Sequence, residues 1–414
     1  MKKLNKKDYK ICIVGLGYVG LPLAARFALK GFDVTGFDIN EKRTNELLNL
    51  FDKNDDIDLE ALKLLNKKSK ITSDIKSIKN NNIFIITVPT PINADKTPDL
   101  LPLTTSSKMI ARVLKKDSIV IYESTVYPGV TDEICTPILE KESKLIFNKD
   151  FSTGYSPERI VPGDKINTIE TLKKVVSASN NQALKVISFI YSSIIDAGIY
   201  QASSIKVAEA AKVTENIQRD VNIALINEMH QLYSSLGINT HEVIEAASTK
   251  WNFMKLTPGL VGGHCIGIDP YYLMHKSKMT GYDPIIMRSA RLLNDNMADW
   301  VLANFFQFIK KKQINIKSIS ITVMGYTFKE NCSDIRNTKV HDLILSMQNN
   351  GCEVEVWDPF LTDDVITMLD KNSIKASKHL PNHTELAFIC VYHDEILRFI
   401  KNYEGLIYDY KKLN

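Results

Sequence analysis

What this chain lacks narrows it first. Its six cysteines, Cys12, Cys135, Cys265, Cys332, Cys352 and Cys390, are dispersed, with no CxxC pair and no cysteine–histidine cluster at metal spacing. That speaks against a disulfide scaffold or a structural zinc site and predicts reduced thiols in the cytoplasm. No apolar run approaches the roughly 20 residues that span a bilayer. The nearest, residues 186–195, holds three serines and meets Asp196, so it reads as a packed helix. The first ten residues are charged and carry no apolar segment, which predicts no signal peptide. Charge of one sign is also scarce: 52 Lys and Arg against 48 Asp and Glu leave a net +4. The lysines are spread, and runs such as Lys67-Lys68 and Lys310-Lys311-Lys312 read as solvated helix ends or loops. No basic patch is interleaved with aromatics, so neither nucleic acid nor membrane is an expected partner. There is no low-complexity tract and no short repeat. At 414 residues, 44% hydrophobic and 24% charged, the chain exceeds one ordinary core, and two or three globular domains are expected.

Strand and helix signals alternate in the first third. Residues 11–14, 33–38, 83–88, 118–123 and 175–179 read as strands, and 21–30 as a helix stopped by Gly31. This alternation predicts an α/β fold with a parallel sheet covered on both faces. Residues 203–236 contain neither proline nor glycine and read as one long helix, about 50 Å at 1.5 Å per residue. Helical segments follow at 240–248 and 284–308. Strands at 319–325, 353–357, 386–391 and 406–410 predict a second, smaller α/β domain without a GxGxxG motif. The expected division is 1–202, 203–312 and 313–414.

Gly15-Leu16-Gly17-Tyr18-Val19-Gly20 follows a strand and opens a helix. There Gly15 permits the tight turn, Gly17 lets backbone approach a pyrophosphate, and Gly20 lets helix and strand pack closely. The helix N-terminus then faces the phosphates. Asp38 ends the next strand about 20 residues on, the spacing of a ribose ligand. A carboxylate there repels a 2′-phosphate, so NAD is favoured over NADP. Arg43 is open between the adenosine side and a solvated helix position. Pro89 and Thr90, and Ser124 and Thr125, lie in loops after strands, where a doubly wound sheet binds ligand; plain turn chemistry is the alternative.

Cys265 sits in the glycine-rich run Gly262-Gly263-His264-Cys265-Ile266-Gly267-Ile268-Asp269. Most cysteines without a disulfide are small buried hydrophobes. A thiolate beside a nicotinamide cofactor can instead add to an aldehyde, and hydride loss then leaves a thioester that water cleaves. His264 adjoins the cysteine, but adjacent side chains diverge and no Cys–His dyad is expected. Asp269 can orient a water or act as a base. Glu158 can handle protons; its alternative is a surface ion pair with Arg159. Lys212 and Asn216, spaced i,i+4, share one helix face and can stabilise an oxyanion; the alternative is a solvated pair.

Together, GLGYVG, VPTP, ESTVYPG, GYSPER, AEAAKVTENIQRDVN, GGHCIGIDPYY and GYTFKENCSDIRNT resemble the UDP-glucose/GDP-mannose dehydrogenase family over nearly the whole chain. KWNF followed by PGLVGGHCIGIDPYYL is similar to the bacterial branch acting on UDP-N-acetylhexosamines. The resemblance implies two doubly wound Rossmann-like domains joined by a long central helix, and a homodimer formed through that helix. It implies two NAD-dependent oxidations at C6 of UDP-N-acetylglucosamine or UDP-N-acetylgalactosamine, giving a uronic acid for surface polysaccharide; UDP-glucose is the alternative substrate. It makes Cys265 the covalent nucleophile, Lys212 and Asn216 the oxyanion pair, and Asp269 with Thr125 the groups that hold water. Glu158 becomes an acid–base carboxylate, Arg159 a group facing the sugar or its diphosphate, and Gly263 a substrate contact. Lys329 and Arg336 become basic groups at substrate and cofactor, and Tyr18 and Val19 join the cofactor turn. The family's second glutamate is Pro162 here, so its role does not carry over.

Two other readings remain open. A two-electron hydroxyacid or sugar dehydrogenase can use Lys212 and Asn216 without needing Cys265. A non-catalytic nucleotide-sugar binder needs only Gly15, Gly17 and Asp38. Dependence on the thiol separates them.

Overall fold

The short β-branched runs become the strands of two sheets in the computed structural model, which describes residues 4–53, 56–160, 168–263, 265–381 and 383–412. Pro162 and His264 lie outside the described residues. The first sheet contains β1 (Lys10–Val14), β2 (Asp33–Phe37), β3 (Lys70–Thr72), β4 (Ile83–Ile86), β5 (Ser118–Tyr122), β6 (Phe151–Tyr155), β7 (Lys174–Ala178) and β8 (Ile199–Gln201). Their order is β3-β2-β1-β4-β5-β6-β7-β8. The first six are parallel, β7 pairs antiparallel with β6, and β8 is parallel to β7. The second sheet contains β9 (Ser320–Met324), β10 (Glu353–Trp357), β11 (Lys375–Ser377), β12 (Leu386–Ile389) and β13 (Leu406–Asp409), all parallel, in the order β11-β10-β9-β12-β13. The expected α/β class with two Rossmann-like sheets is therefore present.

Burial on both faces explains why β4 is an unbroken apolar run, why β5 is one after Ser118, and why both are fully buried. Leu23 and Phe27, from the helix Gly20–Leu29, share a core with Ile13 and Ile85. In the second sheet's core, Val301 and Phe305 of the helix Met297–Lys311 pack with Ile321, Val323 and Phe388. The Phe305 ring meets Phe388 and Tyr408 edge-on at 5.0 and 5.1 Å.

The chain divides into two compact units, Met1–Glu215 with Tyr271–Gly281 and Asn216–Pro270 with Tyr282–Asn414. Residues 203–312 contribute to both. One uninterrupted helix, Ile205–Leu236, carries the chain from the first unit into the second. The expected helix at 284–308 is two helices, Ile285–Asp295 and Met297–Lys311, parted at Asn296. Asn294, Asp295 and Asn296 are poor interior helix residues because their side chains compete for backbone hydrogen bonds or local partners. β3, β8 and β11 escaped the sequence pattern because they are edge strands of three residues each, too short to show a period, and β6 shows no apolar run because its five residues include Ser152, Thr153 and Gly154. The lysine runs end helices as expected: Lys67-Lys68 closes Leu59–Lys68, and Lys310-Lys311 closes Met297–Lys311. Among the described residues, no helix is long and apolar enough to cross a membrane, and no His/Cys/Asp/Glu group is arranged to hold a metal ion.

Candidate active site

In the first unit the fingerprint turn is built as its glycines require. Gly15 has φ +98°, and a Cβ on Gly20 would stand 1.9 Å from the Gly15 carbonyl oxygen and 2.5 Å from Thr87 Oγ1. A Cβ on Gly17 would meet nothing within 4 Å. That open side lies where backbone must approach a ligand. The helix Gly20–Leu29 begins after Val19 with no side-chain cap. The Leu21 N–H is spent on the Gly17 carbonyl at 2.9 Å and Pro22 has none, so an anion at this end would draw on the N–H groups of the turn itself and on the helix dipole. Tyr18 and Val19 are half-buried in the same turn. Asp38 Oδ2 accepts the Leu16 N–H at 2.8 Å and Oδ1 the Asn40 N–H at 2.9 Å. These bonds aim the carboxylate and leave lone pairs for a ribose.

Arg43 is neither solvated nor free to reach outward. It is buried, its Nε donates to the Leu16 carbonyl at 2.9 Å, and its guanidinium pairs with Asp52 at 2.7 Å and Asp56 at 3.2 Å. This removes the solvated alternative: Arg43 braces the fingerprint turn at Leu16. Two further loops close the strand ends. Ser124 Oγ donates to the Val88 carbonyl at 2.6 Å, tying the loop after β5 to the loop after β4. Thr125 and Thr90 are half-buried there, and Pro89 is exposed. The Tyr272 hydroxyl donates to the Pro91 carbonyl at 3.0 Å.

Sequence reasoning missed Glu209. It is fully buried on the long helix, one turn before Lys212, and accepts the N–H groups of Gly129 at 2.6 Å and Thr131 at 3.0 Å. The carboxylate thus anchors the loop that carries Thr125. Burial pushes Glu209 up to about 7 against those two donors. Lys212 is itself buried, 7% exposed, which removes the solvated alternative.

Glu158 and Arg159 are placed differently from expectation. Glu158 Oε1 accepts the N–H groups of Arg159 and Ile160 at 2.6 and 2.7 Å, and Oε2 accepts from Lys174 Nζ at 2.9 Å. Burial works against its charge, but Lys174 and the two N–H donors outweigh it and hold the carboxyl below its usual range. Such a group is a poor proton donor near neutrality, which weighs against the acid half of the acid–base reading. It is also no surface pair, being buried. Arg159 grips Glu215 through Nε at 3.0 Å and Nη2 at 2.8 Å, and its Nη1 donates to the Lys173 carbonyl at 3.0 Å. The guanidinium is occupied by protein, which corrects the substrate-facing reading of Arg159.

The second unit holds the cysteine loop. The Cys265 carbonyl accepts the N–H groups of Ile268 and Asp269 at 3.0 and 2.9 Å, so the chain turns helically from Cys265 into the helix Asp269–Met279. Asn216 Nδ2 donates to Asp269 Oδ2 at 2.5 Å, both residues buried. The long helix and the cysteine loop are thus joined by two of the expected site residues. Gly263, at φ +80°, bonds through its N–H to the Arg336 carbonyl at 3.0 Å and accepts from Asn337 Nδ2 at 3.1 Å. A Cβ there would lie 2.9 Å from the Phe328 ring. The segment bearing Lys329 and Arg336 is zipped to this loop. Lys329 is exposed, and Arg336 pairs with Asp334 at 2.5 Å. Upstream, Asn227 clamps Gly259 from both sides at 2.9 and 3.0 Å.

The second sheet offers no carboxylate for a ribose at the place equivalent to Asp38. Asp358, after β10, is fully buried and accepts from Tyr326 N, Thr327 N, Phe360 N and His393 Nε2 at 2.6–3.0 Å. The residues of the first unit do fit NAD: an open glycine face, an uncapped helix N-terminus and an aimed Asp38. Asp38→Asn is expected to narrow the preference for NAD over NADP by about tenfold, or about 1.4 kcal/mol, in calorimetric Kd values.

Three models of one family match the chain in succession. Residues 9–195 match the NAD binding domain of the UDP-glucose/GDP-mannose dehydrogenase family, residues 206–296 its central domain and residues 322–413 its UDP binding domain. A UDP-N-acetyl-D-glucosamine 6-dehydrogenase of Salmonella typhi is 48% identical over 388 residues, 94% of this chain and 91% of its own. One from Pseudomonas aeruginosa is 51% identical over 356 residues, 86% and 84% of the two chains. The solved structure of a UDP-D-ManNAc dehydrogenase from Pyrococcus horikoshii superposes with a TM-score of 0.84 at 30% identity, covering 93% of this chain and 90% of that one. With matches in sequence order along the chain, at these identities and coverages, the protein belongs to the UDP-glucose/GDP-mannose dehydrogenase family.

Proposed function

We propose that this protein oxidises the C6 hydroxyl of a UDP-N-acetylhexosamine, UDP-N-acetylglucosamine or its galacto epimer, to the UDP-uronic acid. The observation that carries the reading is the buried Asn216–Asp269 pair beside the helical turn that begins at Cys265. The names of the relatives at 48–51% identity support the substrate class. NAD, when bound, accepts the hydride of each oxidation. Lys212 and Asn216 stabilise the developing alkoxide and oxyanion. The Cys265 thiolate adds to the aldehyde, and loss of hydride from the resulting hemithioacetal leaves a thioester. Asp269 and Thr125 hold the water that cleaves it, returning the thiol and releasing the acid. Lys329, Arg336 and Gly263 bind the nucleotide side of the ligands. A thiolate mechanism requires reduced cysteine, so the reading places the enzyme in the cytoplasm, as a supplier of uronic acid for surface polysaccharide. In this reading 1–202 is the cofactor domain, 203–312 the central domain with the cysteine loop and 313–414 the UDP-sugar domain.

Steady-state kinetics with UDP-N-acetylglucosamine, UDP-N-acetylgalactosamine and UDP-glucose test the substrate. An N-acetylated sugar should lead in kcat/KM by about tenfold or more. A lead for UDP-glucose would replace the substrate and keep the chemistry.

A homodimer through the long helix belongs to the same reading. Leu225, Leu232 and Leu236 are 47, 54 and 60% exposed along it, a spacing that gathers them on one apolar face. Leu232→Asp is expected to shift a dimer to monomer in sedimentation velocity; an unchanged sedimentation coefficient would place the interface elsewhere.

A further inference from the structure

The first unit buries a second set of ionisable groups for which the proposed chemistry has no use. Lys174 Nζ lies 2.8 Å from Glu123 Oε2 and 2.9 Å from Glu158 Oε2. The side chains of Lys174, Glu123 and Glu158 are 5, 0 and 10% exposed. The Tyr191 hydroxyl donates to Glu123 Oε1, and the ammonium sits 5.5 Å from the Tyr191 ring centre. These groups come from four elements: the end of β5, the loop after β6, the start of β7 and the helix Asn181–Ser192. No other charged group is bonded into the cluster among the contacts described, and Arg159 next door is spent on Glu215.

Two carboxylates on one buried ammonium leave a net negative charge away from water. Apolar residues of the same volume would cost less. The balance favours one stored proton. Burial, with Glu158 adding to it, pushes Glu123 up to about 7 although Lys174 pulls the other way, while Lys174 itself is held above its usual value by the two carboxylates despite burial. Perturbed groups of this kind gather at functional sites.

Their position gives the cluster a use. Glu123 immediately precedes Ser124 and Thr125, and Glu158 governs the loop that Arg159 ties to Glu215 on the long helix. The geometry points to Glu123 and Lys174 as positioning residues for the oxidation: with both carboxylates ionised, Lys174 clamps the 123–125 and 156–160 loops together, and a proton on Glu123 releases the first of them. This rests on the dehydrogenase reading above. Activity should therefore rise with pH as Glu123 ionises. Removing the Tyr191 hydrogen bond, which favours the ionised form, should raise the pH at which the clamp sets.

The test has two arms. In wild type, kcat should climb about tenfold per pH unit below neutrality and level off above an apparent pKa near 7. Glu123→Gln should lose at least about tenfold in kcat at pH 8.5 and flatten that limb; Tyr191→Phe should move the limb alkaline. Thermal melting establishes that each variant is folded. The second arm does not need turnover: with carboxyl-labelled glutamate, an NMR titration should show two carboxyls titrating near pH 7, those of Glu123 and Glu209, and Glu123→Gln should remove one of them. An unchanged limb in both variants, or the same carboxyls titrating near pH 7 in wild type and Glu123→Gln, overturns the inference. A wild type that shows the Glu123 carboxyl but forms no NADH from any UDP-sugar defeats the dehydrogenase reading and the clamp's catalytic role, leaving only the buried proton.

Discussion

Cys265→Ser is expected to lower formation of the uronic acid by roughly 10³-fold or more while leaving NAD binding intact. In the proposed reading the NAD site is formed in the first unit by Gly15, Gly17, Gly20 and Asp38, whereas Cys265 belongs to the second. Serine keeps the size of the side chain and the Cys265 carbonyl bonds to Ile268 and Asp269, so the loop should hold its shape. What it removes is a readily ionised nucleophile: a hydroxyl is a far weaker one near neutrality without a base beside it. The first oxidation needs no thiolate and should persist, visible as aldehyde trapped by hydroxylamine. Full acid formation by the serine variant would leave the half-buried Cys265 without a chemical role.

Gly20→Ala should unfold or grossly destabilise the first unit, by more than about 4 kcal/mol, whereas Gly17→Ala should fold normally and weaken NAD binding by about tenfold or more. The two glycines are three residues apart and fail for opposite reasons. At Gly20 the added carbon meets backbone oxygen at 1.9 Å, where no side chain can move aside. At Gly17 it meets nothing in the protein, so only a ligand at the turn can feel it. Urea unfolding and calorimetric titration with NAD read the two effects separately. Equal loss of binding and no loss of stability in both variants would contradict the geometry.

Local motifs made much of this legible. A strand, a tight turn and a helix are consecutive, so GLGYVG and Asp38 announce their arrangement, and a glycine-free, proline-free run announces the long helix. Lys174 carries no motif at all. It reaches Glu123 across 51 residues, and only the antiparallel pairing of β7 with β6 brings it there. The same holds for Glu209 and Asn227, whose partners are backbone groups of distant loops. Glu158 and Arg159 were found by pattern but given outward roles, because a sequence does not show that Lys174 and Glu215 will occupy them. The break at Asn296 was written in Asn294-Asp295-Asn296 and hidden by apolar periodicity on both sides.

The most direct measurement is the number of NADH formed per sugar when UDP-N-acetylglucosamine is limiting and NAD is in excess. Each oxidation delivers one hydride, so a path through the Cys265 thioester to the acid yields two. Two NADH per sugar is the predicted result. One NADH per sugar, with the carbonyl compound as final product, would make this a two-electron dehydrogenase and leave Cys265 without a chemical role.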